Sequence, residues 1–424
     1  MRAGQQIALQ IYRLAVLVAI AWVIHEHHLR LRLGGLMPVT VEEVRAIYPT
    51  ATDIAEDAGE RAGWWVKDHA GKQLGYVLRT SPFTDSIIGY RGWTDSLVAF
   101  DPALHVVGVR VRASQDTREH VGDVKGDPYF LKTWNGKSWD AVARTTPEQA
   151  GIEGVSGASM TSLAIAEGIM RRLRAADSAL ALKPPPMQFR LHDAGLVAII
   201  VAALGLAFTG TYGRKWLRCG FQILVIVYVG FLSGDLLAQS LIVGWAQSGA
   251  PWRSAPGLVL LLAAALAVPW ATRKPLYCQQ LCPHGAAQEL LSRVAPRRWR
   301  IALRPDFARG LRWLPGLLLA FVVSISVLVL PIDLAHVEPF DAYILKSAGL
   351  ATIVIAVVGL AASMFVPMAY CHYGCPTGAL LEFIRGHGRN DHFGRRDVAA
   401  LVLLALAILL STKYHAIHAW MVAD

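Results

Sequence analysis

One short stretch occurs twice in this chain, and it limits what the chain can become more than any other feature. The first copy reads Tyr277-Cys278-Gln279-Gln280-Leu281-Cys282-Pro283-His284-Gly285-Ala286, with Glu289 beyond it. The second reads Tyr370-Cys371-His372-Tyr373-Gly374-Cys375-Pro376-Thr377-Gly378-Ala379, with Glu382 beyond it. The offset is constant at 93 residues, and seven positions agree: the tyrosine, both cysteines, the proline, the glycine, the alanine and the glutamate. Each copy follows a long apolar segment, so the repeating unit is larger than the motif.

Cysteines four apart share one side of a helical turn. A proline keeps the residue before it away from helical angles and suits the first position of a new helix. Cys282 and Cys375 are therefore predicted at helix N-termini, where partial positive charge favours thiolate over thiol. Two such pairs meeting at a pseudo-two-fold axis would bring together Cys278, Cys282, Cys371 and Cys375. That is a four-thiolate set suited to an iron–sulfur cluster or a tetrahedral metal. The plainer alternative is two membrane helices that end in Cys and Pro for packing. One copy would leave that alternative favoured; two matched copies favour ligation. Cys219 opens an apolar segment and is expected to be a packing residue.

The chain is 54% hydrophobic and 17% charged, with a mean hydropathy of +0.39. That balance places it among membrane proteins. A net charge of +10 would also suit a nucleic-acid partner. The excess sits in short loops between apolar segments, however, so it points to membrane orientation, and no nucleic acid is expected.

Apolar segments run over 7–24 and near 193–210, 219–243, 257–271, 313–332, 347–368 and 398–417. The connections after 193–210, 257–271 and 347–368 are rich in Arg and Lys. The one after 219–243 holds only Arg253, and the one after 313–332 is acidic, with Asp333, Glu338 and Asp341. The positive-inside rule puts both Cys motifs at the cytoplasmic face and residues 38–187 outside.

The expected fold is a polytopic α-helical membrane protein of about seven spans with an α+β extracytoplasmic domain. Its parts are an anchor over 1–37, the outer domain over 38–187 and a six-helix membrane domain over 188–424. Pro184-Pro185-Pro186 is the expected linker. Asp235 lies inside an apolar segment and is either a functional carboxylate or hydrogen-bonded to a neighbouring Ser, Gln or backbone group.

Within 38–187, Thr40 and Glu43 form a capping box. Strands are predicted at Gly75–Thr80, Ser96–Phe100 and Val106–Val111, and a helix over Ala164–Ala175. The stretch Ser156-Gly157-Ala158-Ser159-Met160-Thr161-Ser162 leads into that helix. Its small residues allow close backbone approach, and a helix N-terminus is a ready phosphate site. Such a loop is often only a cap.

Together with Gly136-Lys137-Ser138 and Gly154-Val155, this loop resembles the FMN-binding domain of RnfG, NqrC and NosR. The resemblance implies FMN held through a phosphoester on Thr161, with Ser156, Gly157, Ala158 and Ser159 forming the cradle. The order of anchor, FMN-binding domain and membrane helices with two Cys-x-x-x-Cys-Pro motifs is similar to the NosR/NirI family. That family's C-terminal ferredoxin domain is expected to be lacking here.

The resemblance implies transmembrane electron transfer in a bacterial inner membrane, through covalent FMN facing the periplasm and a cysteine-ligated iron–sulfur centre. The implied partners are a quinol or cytoplasmic electron donor, a periplasmic redox partner and a flavin transferase for maturation. A metal-handling or regulatory protein without redox turnover is the alternative.

Overall fold

The computed structural model of the chain describes residues 3–34, 39–57, 59, 61–176, 187, 189–209, 214–330, 332–344, 348–388 and 391–417. The Pro184–Pro186 linker lies outside them. The chain divides into two compact units. One comprises Met1–His28, Gln188–Gln247 and Ala255–Asp424; the other comprises Leu29–Met187 and Ser248–Ser254.

The second unit is built on a five-stranded antiparallel meander in chain order: β1 (Asp53–Glu56), β2 (Trp64–Lys67), β3 (Gln73–Arg79), β4 (Thr94–Phe100) and β5 (Val106–Ser114). Alternation sends Tyr76, Leu78, Val98 and Phe100 to one face, against Trp134, Trp139, Ile165 and Ile169. Val77, Leu97 and Ala99 go to the other face, against Val39 and Val44. Both faces of the central strands are therefore buried, which is why β3 and β4 read as near-continuous apolar runs. β1 and β2 have no such run and were not among the predicted strands.

Thr40 and Glu43 form the expected capping box on the short helix Val41–Arg45. The predicted helix begins earlier than expected, as α5 over Ser159–Ala175. Arg172 stands in the last turn of this helix, where the dipole favours a cation. It is buried, donating to the carbonyls of Arg79 at 2.9 Å and Arg61 at 2.7 Å.

The first unit is helical. Among the described residues, four helical stretches are long and apolar enough to cross a membrane: Gly4–Leu31, Leu191–Phe208, Lys215–Ser233 and Pro305–Leu328. Pro256–Thr272 and Leu350–Phe365 are shorter apolar helices. The helix Arg395–Thr412 carries Arg395, Arg396 and Asp397 in its first turn.

The segment expected as one span over 219–243 is broken. Its helix ends in a π-helical stretch at Ser233, Gly234 takes left-handed angles (φ 71°), and a new helix starts at Gln239. Asp235 lies in the break and is hydrogen-bonded by the Ser233 hydroxyl, the blander of its two expected roles.

The acidic connection is not a solvated loop. Asp333, Glu338 and Asp341 are all buried. Glu338 accepts from Gln239 N–H at 2.6 Å and from the Thr377 hydroxyl at 3.3 Å, which brings it beside the second Cys motif. His27 and His28 are satisfied by the carbonyls of Val327 and Ser326, each at 2.8 Å.

Candidate cofactor sites

The two repeats fold alike where the chemistry lies. Cys278 sits in a π-helical turn over Tyr277–Leu281, and Cys371 in the short helix Ala369–Tyr373. Cys282 caps α10 (Pro283–Val294) and Cys375 caps α15 (Pro376–Ile384), each with proline in the first turn. Each capping sulfur accepts a backbone N–H: Gly285 to Cys282 at 3.4 Å and Gly378 to Cys375 at 3.2 Å.

The matched glycines permit this approach. A Cβ at Gly285 would stand 2.9 Å from the Cys278 carbonyl, and one at Gly378 would stand 3.4 Å from the Cys375 sulfur. The matched glutamates are ion-paired, Glu289 with Arg218 and Arg293, and Glu382 with Arg385. Glu289 thereby ties α10 to the helix Lys215–Val225.

Gln288 joins the copies, and no repeated position reveals it. Its Nε2 donates to the Cys371 sulfur at 3.2 Å. Its Oε1 accepts from the Ser363 hydroxyl at 2.8 Å and from Tyr370 N–H at 3.1 Å. The only sequence signal for it is an amide on a helix that faces the core. Residues after each Cys-Pro are held by one loop: His284 bonds Tyr343 at 3.2 Å, and Thr377 bonds Glu338.

The pull of the helix N-termini toward thiolate is present, and burial opposes it. Burial pushes the Cys278 thiol up to about 12, and the Cys282 charge adds to it. Burial also pushes Cys282 up to about 11, against the Gly285 and His284 amides that pull it down. Cys371 and Cys375 are raised as well, by burial first and by the other sulfurs next. The helix termini act in the predicted sense, but burial is the larger effect.

Four thiolates, two buried and two half-buried, are costly unless a cation lies among them, and an iron centre supplies that charge. Each sulfur lies within electrostatic reach of others across the two copies. Among the described residues, no three His, Cys, Asp or Glu side chains stand at metal-ligating separation. The four soft donors and the buried, unpartnered Tyr370 hydroxyl fit an iron–sulfur centre.

Cys219 stands apart from the other four cysteines in the sequence and packs against Arg293. It is half-buried, with its sulfur 3.2 Å from the Arg293 guanidinium.

In the sheet unit, Gly157 holds left-handed angles (φ 89°) in the turn before α5. No side chain caps the N-terminus of α5, which leaves its first amides for a phosphate. Ser156 and Ser159 are exposed and Ala158 is buried. Thr161 is 1% exposed, and its hydroxyl donates to Asp116 at 2.7 Å. The same carboxylate accepts the N–H groups of Tyr90 at 3.0 Å, Arg91 at 2.8 Å and Thr117 at 2.9 Å.

Asp116 is the residue that sequence reasoning missed: 45 positions from Thr161, it leaves no spacing signal. A Cβ at Gly89 would stand 2.1 Å from the Asp116 carboxylate, so only glycine fits there. Ser162 was expected to point away from the loop. It points into it, accepting Val155 N–H at 2.9 Å and donating to the Ala158 carbonyl at 2.9 Å.

Comparisons with known proteins converge on these two sites. A family described as "4Fe-4S binding domain" matches residues 255–302 and 348–396, one stretch over each Cys motif. A family described as "FMN-binding domain" matches residues 89–174, from Gly89 through the Thr161 loop. Regulatory protein NosR of Pseudomonas aeruginosa is 32% identical over 180 residues, which is 39% of this chain and 25% of that protein. Putative electron transport protein YccM of Escherichia coli is 30% identical over 138 residues, 30% of this chain and 38% of that protein. Protein NirI of Paracoccus denitrificans is 28% identical over 212 residues, 47% of this chain and 27% of that protein. The matches thus span well under half the length of these relatives. No solved structure matches. The chain is thus similar in part to NosR and NirI, and it carries one stretch that matches an FMN-binding domain and two that match a 4Fe-4S binding domain.

Proposed function

We propose that the protein carries electrons across a bacterial inner membrane, between a quinol or cytoplasmic donor and a periplasmic acceptor. The observation that carries this is the pairing in one chain of an FMN-binding domain with a duplicated 4Fe-4S segment. Flavin and cluster, when bound, supply the electron-transfer chemistry.

The chain's own residues hold and tune them. Cys278, Cys282, Cys371 and Cys375 are the ligands, and Gln288 and the amides of Gly285 and Gly378 donate hydrogen bonds to sulfur. Thr161 is the attachment point for FMN. Asp116 orients its hydroxyl and is placed to take its proton as the phosphoester forms. Ser156, Gly157, Ala158 and Ser159 line the phosphate side of the loop. The chain is further proposed to make seven spans, with residues 38–187 on the periplasmic face and both Cys motifs toward the cytoplasm.

The name of the NosR relative favours a second reading, a regulatory protein without redox turnover. Oriented membrane vesicles separate the two. With quinol supplied in the membrane, wild-type protein should reduce a soluble acceptor on the periplasmic side, and Thr161→Ala or Cys375→Ser should each lower that rate at least about tenfold. Equal rates in all three would favour the regulatory reading.

A further inference from the structure

We propose that Gln288 breaks the symmetry of the duplicated centre: its amide donates to the sulfur of Cys371 and has no counterpart at Cys278, and through that one sulfur it raises the reduction potential. The inference rests on the iron–sulfur assignment of the four cysteines and adds a positioning and tuning role that the repeat itself does not carry.

The first observation is a broken match. The constant offset of 93 pairs Gln288 with Leu381, just as it pairs Cys278 with Cys371. Both side chains are buried, Gln288 at 0% and Leu381 at 4% exposure. The second cysteines of the two copies are treated alike, each by the N–H of the glycine three residues on. The first cysteines are not. Gln288, on the first copy, reaches across to the second and donates from Nε2 to the Cys371 sulfur at 3.2 Å. The reciprocal contact would run from position 381 to Cys278, and leucine cannot make it. Among the described residues, no side chain donates to the Cys278 sulfur.

The second observation is that the orientation of the amide is fixed by its partners. The nitrogen and oxygen of a glutamine are told apart by what surrounds them. Oε1 accepts Tyr370 N–H at 3.1 Å. Tyr370 lies in the first turn of the short helix Ala369–Tyr373, so this N–H has no partner within the helix. The Ser363 hydroxyl stands 2.8 Å from the same oxygen, with the Gly359 carbonyl at 2.7 Å as its other acceptor. The backbone donor alone holds Oε1 on that side, because a turned amide would set N–H against N–H. Nε2 is thereby aimed at Cys371, and its second proton faces the His284 carbonyl at 3.4 Å.

The third observation is one of chemistry. A buried amide is costly unless its polar atoms are paired, and packing alone is met by leucine at the matching position. The competing role for Gln288 is a brace for Tyr370 N–H, which would use only its oxygen. A hydrogen bond to a ligand sulfur strengthens as electron density on the sulfur grows, so it favours the reduced centre. The centre takes up one electron, and no bond at Gln288 is made or broken.

The test uses the full chain, purified with its iron and acid-labile sulfide, as wild type, Gln288→Met and Leu381→Met. Gln288→Met keeps a long unbranched side chain and removes the donor. Leu381→Met is a volume-conserving change at the matching position and serves as the control. Both variants should keep iron and sulfide. Gln288→Met should show a reduction equilibrium shifted about tenfold toward the oxidised form, about 59 mV for one electron, while Leu381→Met stays at the wild-type potential. Pulsed EPR of the reduced protein in deuterated water should show an exchangeable deuteron coupling in wild type and Leu381→Met that Gln288→Met lacks. An unchanged potential and coupling in Gln288→Met would overturn the proposal. So would an equal shift in both variants, which would make the effect one of packing. Loss of iron from Gln288→Met would also overturn it, by making the side chain a brace rather than a donor to sulfur. Failure of the underlying iron–sulfur assignment would show separately, as wild-type protein devoid of sulfide.

Discussion

Arg13 offers the sharpest test of how the membrane unit is held together. It lies ten residues into the helix Ala3–Gly34, and its side chain is fully buried. It donates to Asp397 at 2.7 and 3.2 Å and to Asp391 at 2.8 and 2.9 Å, a bidentate grip on two carboxylates nearly 400 positions away in the sequence. Both carboxylates are buried, at 0% and 5% exposure. Asp391 is held well below the usual carboxylate range by these bonds and by Arg396, although burial opposes them.

Arg13→Met keeps the volume and removes the charge. Asp391 would retain Arg396 at 2.6 Å and His387 N–H at 2.8 Å, whereas Asp397, among the described residues, would keep its hydrogen bond from Gly394 N–H at 3.0 Å. Removing one partner of a buried pair costs about 3–5 kcal/mol. The surviving partners of Asp391 put the expected loss near the lower end, about 3 kcal/mol. Arg13→Met/Asp397→Asn should recover part of this, because the stranded charge is gone. Denaturant unfolding in detergent, followed by tryptophan fluorescence, reads all three. A loss below about 1 kcal/mol in Arg13→Met, as for an exposed pair, would refute the buried network.

Single replacement of Cys278, Cys282, Cys371 or Cys375 by Ser should reduce bound iron and sulfide in a purified-protein assay, while Cys219→Ser should leave both at the wild-type level. Thr161→Ala should abolish the fluorescent flavin band that survives denaturing electrophoresis, and replacing Ser159 should weaken it at most. Asp116→Asn, with near-identical shape, should slow flavin attachment by a transferase at least about tenfold; an unchanged rate would leave Asp116 a purely structural anchor. Burial lifts the Glu338 carboxyl from 4.5 to about 8, so the folded state holds this proton more tightly than the unfolded chain. Its stabilising contribution is full below about 4.5 and lost as pH rises through about 8, so unfolding measured across that window should flatten in Glu338→Gln. Reporter fusions after residue 187 should read outside, and fusions near residues 300 and 390 inside; the reverse would overturn the proposed orientation.

The motif chemistry was legible because it is local. Proline fixes the angles of Cys282 and Cys375, and glycine two residues on opens a path for an amide to reach sulfur. The central strands of the sheet unit were legible through β-branched and aromatic runs.

What sequence could not show are pairings across long separations. Asp116 with Thr161, Gln288 with Cys371 and Arg13 with Asp391 each depend on the packing of distant elements. The burial of charged side chains was hidden for the same reason. Arg13 and the acidic residues Asp333, Glu338 and Asp341 are all buried, which no count of charges reveals. Burial of the Cys282 thiol, which opposes the local pull of the helix terminus, is likewise a non-local quantity. Breaking the apolar stretch at Gly234 needs no proline, so nothing in its hydropathy marked the break.

The central claim is that one chain holds both a covalent flavin and a cysteine-ligated iron–sulfur centre. Absorbance and EPR spectra of purified protein, oxidised and reduced, taken for wild type, Thr161→Ala and Cys375→Ser, test it most directly. The account predicts both signatures in wild type, loss of flavin alone in Thr161→Ala, and loss or alteration of the iron–sulfur signal alone in Cys375→Ser. Wild-type protein lacking either signature after expression with a flavin transferase and an iron supply would contradict it.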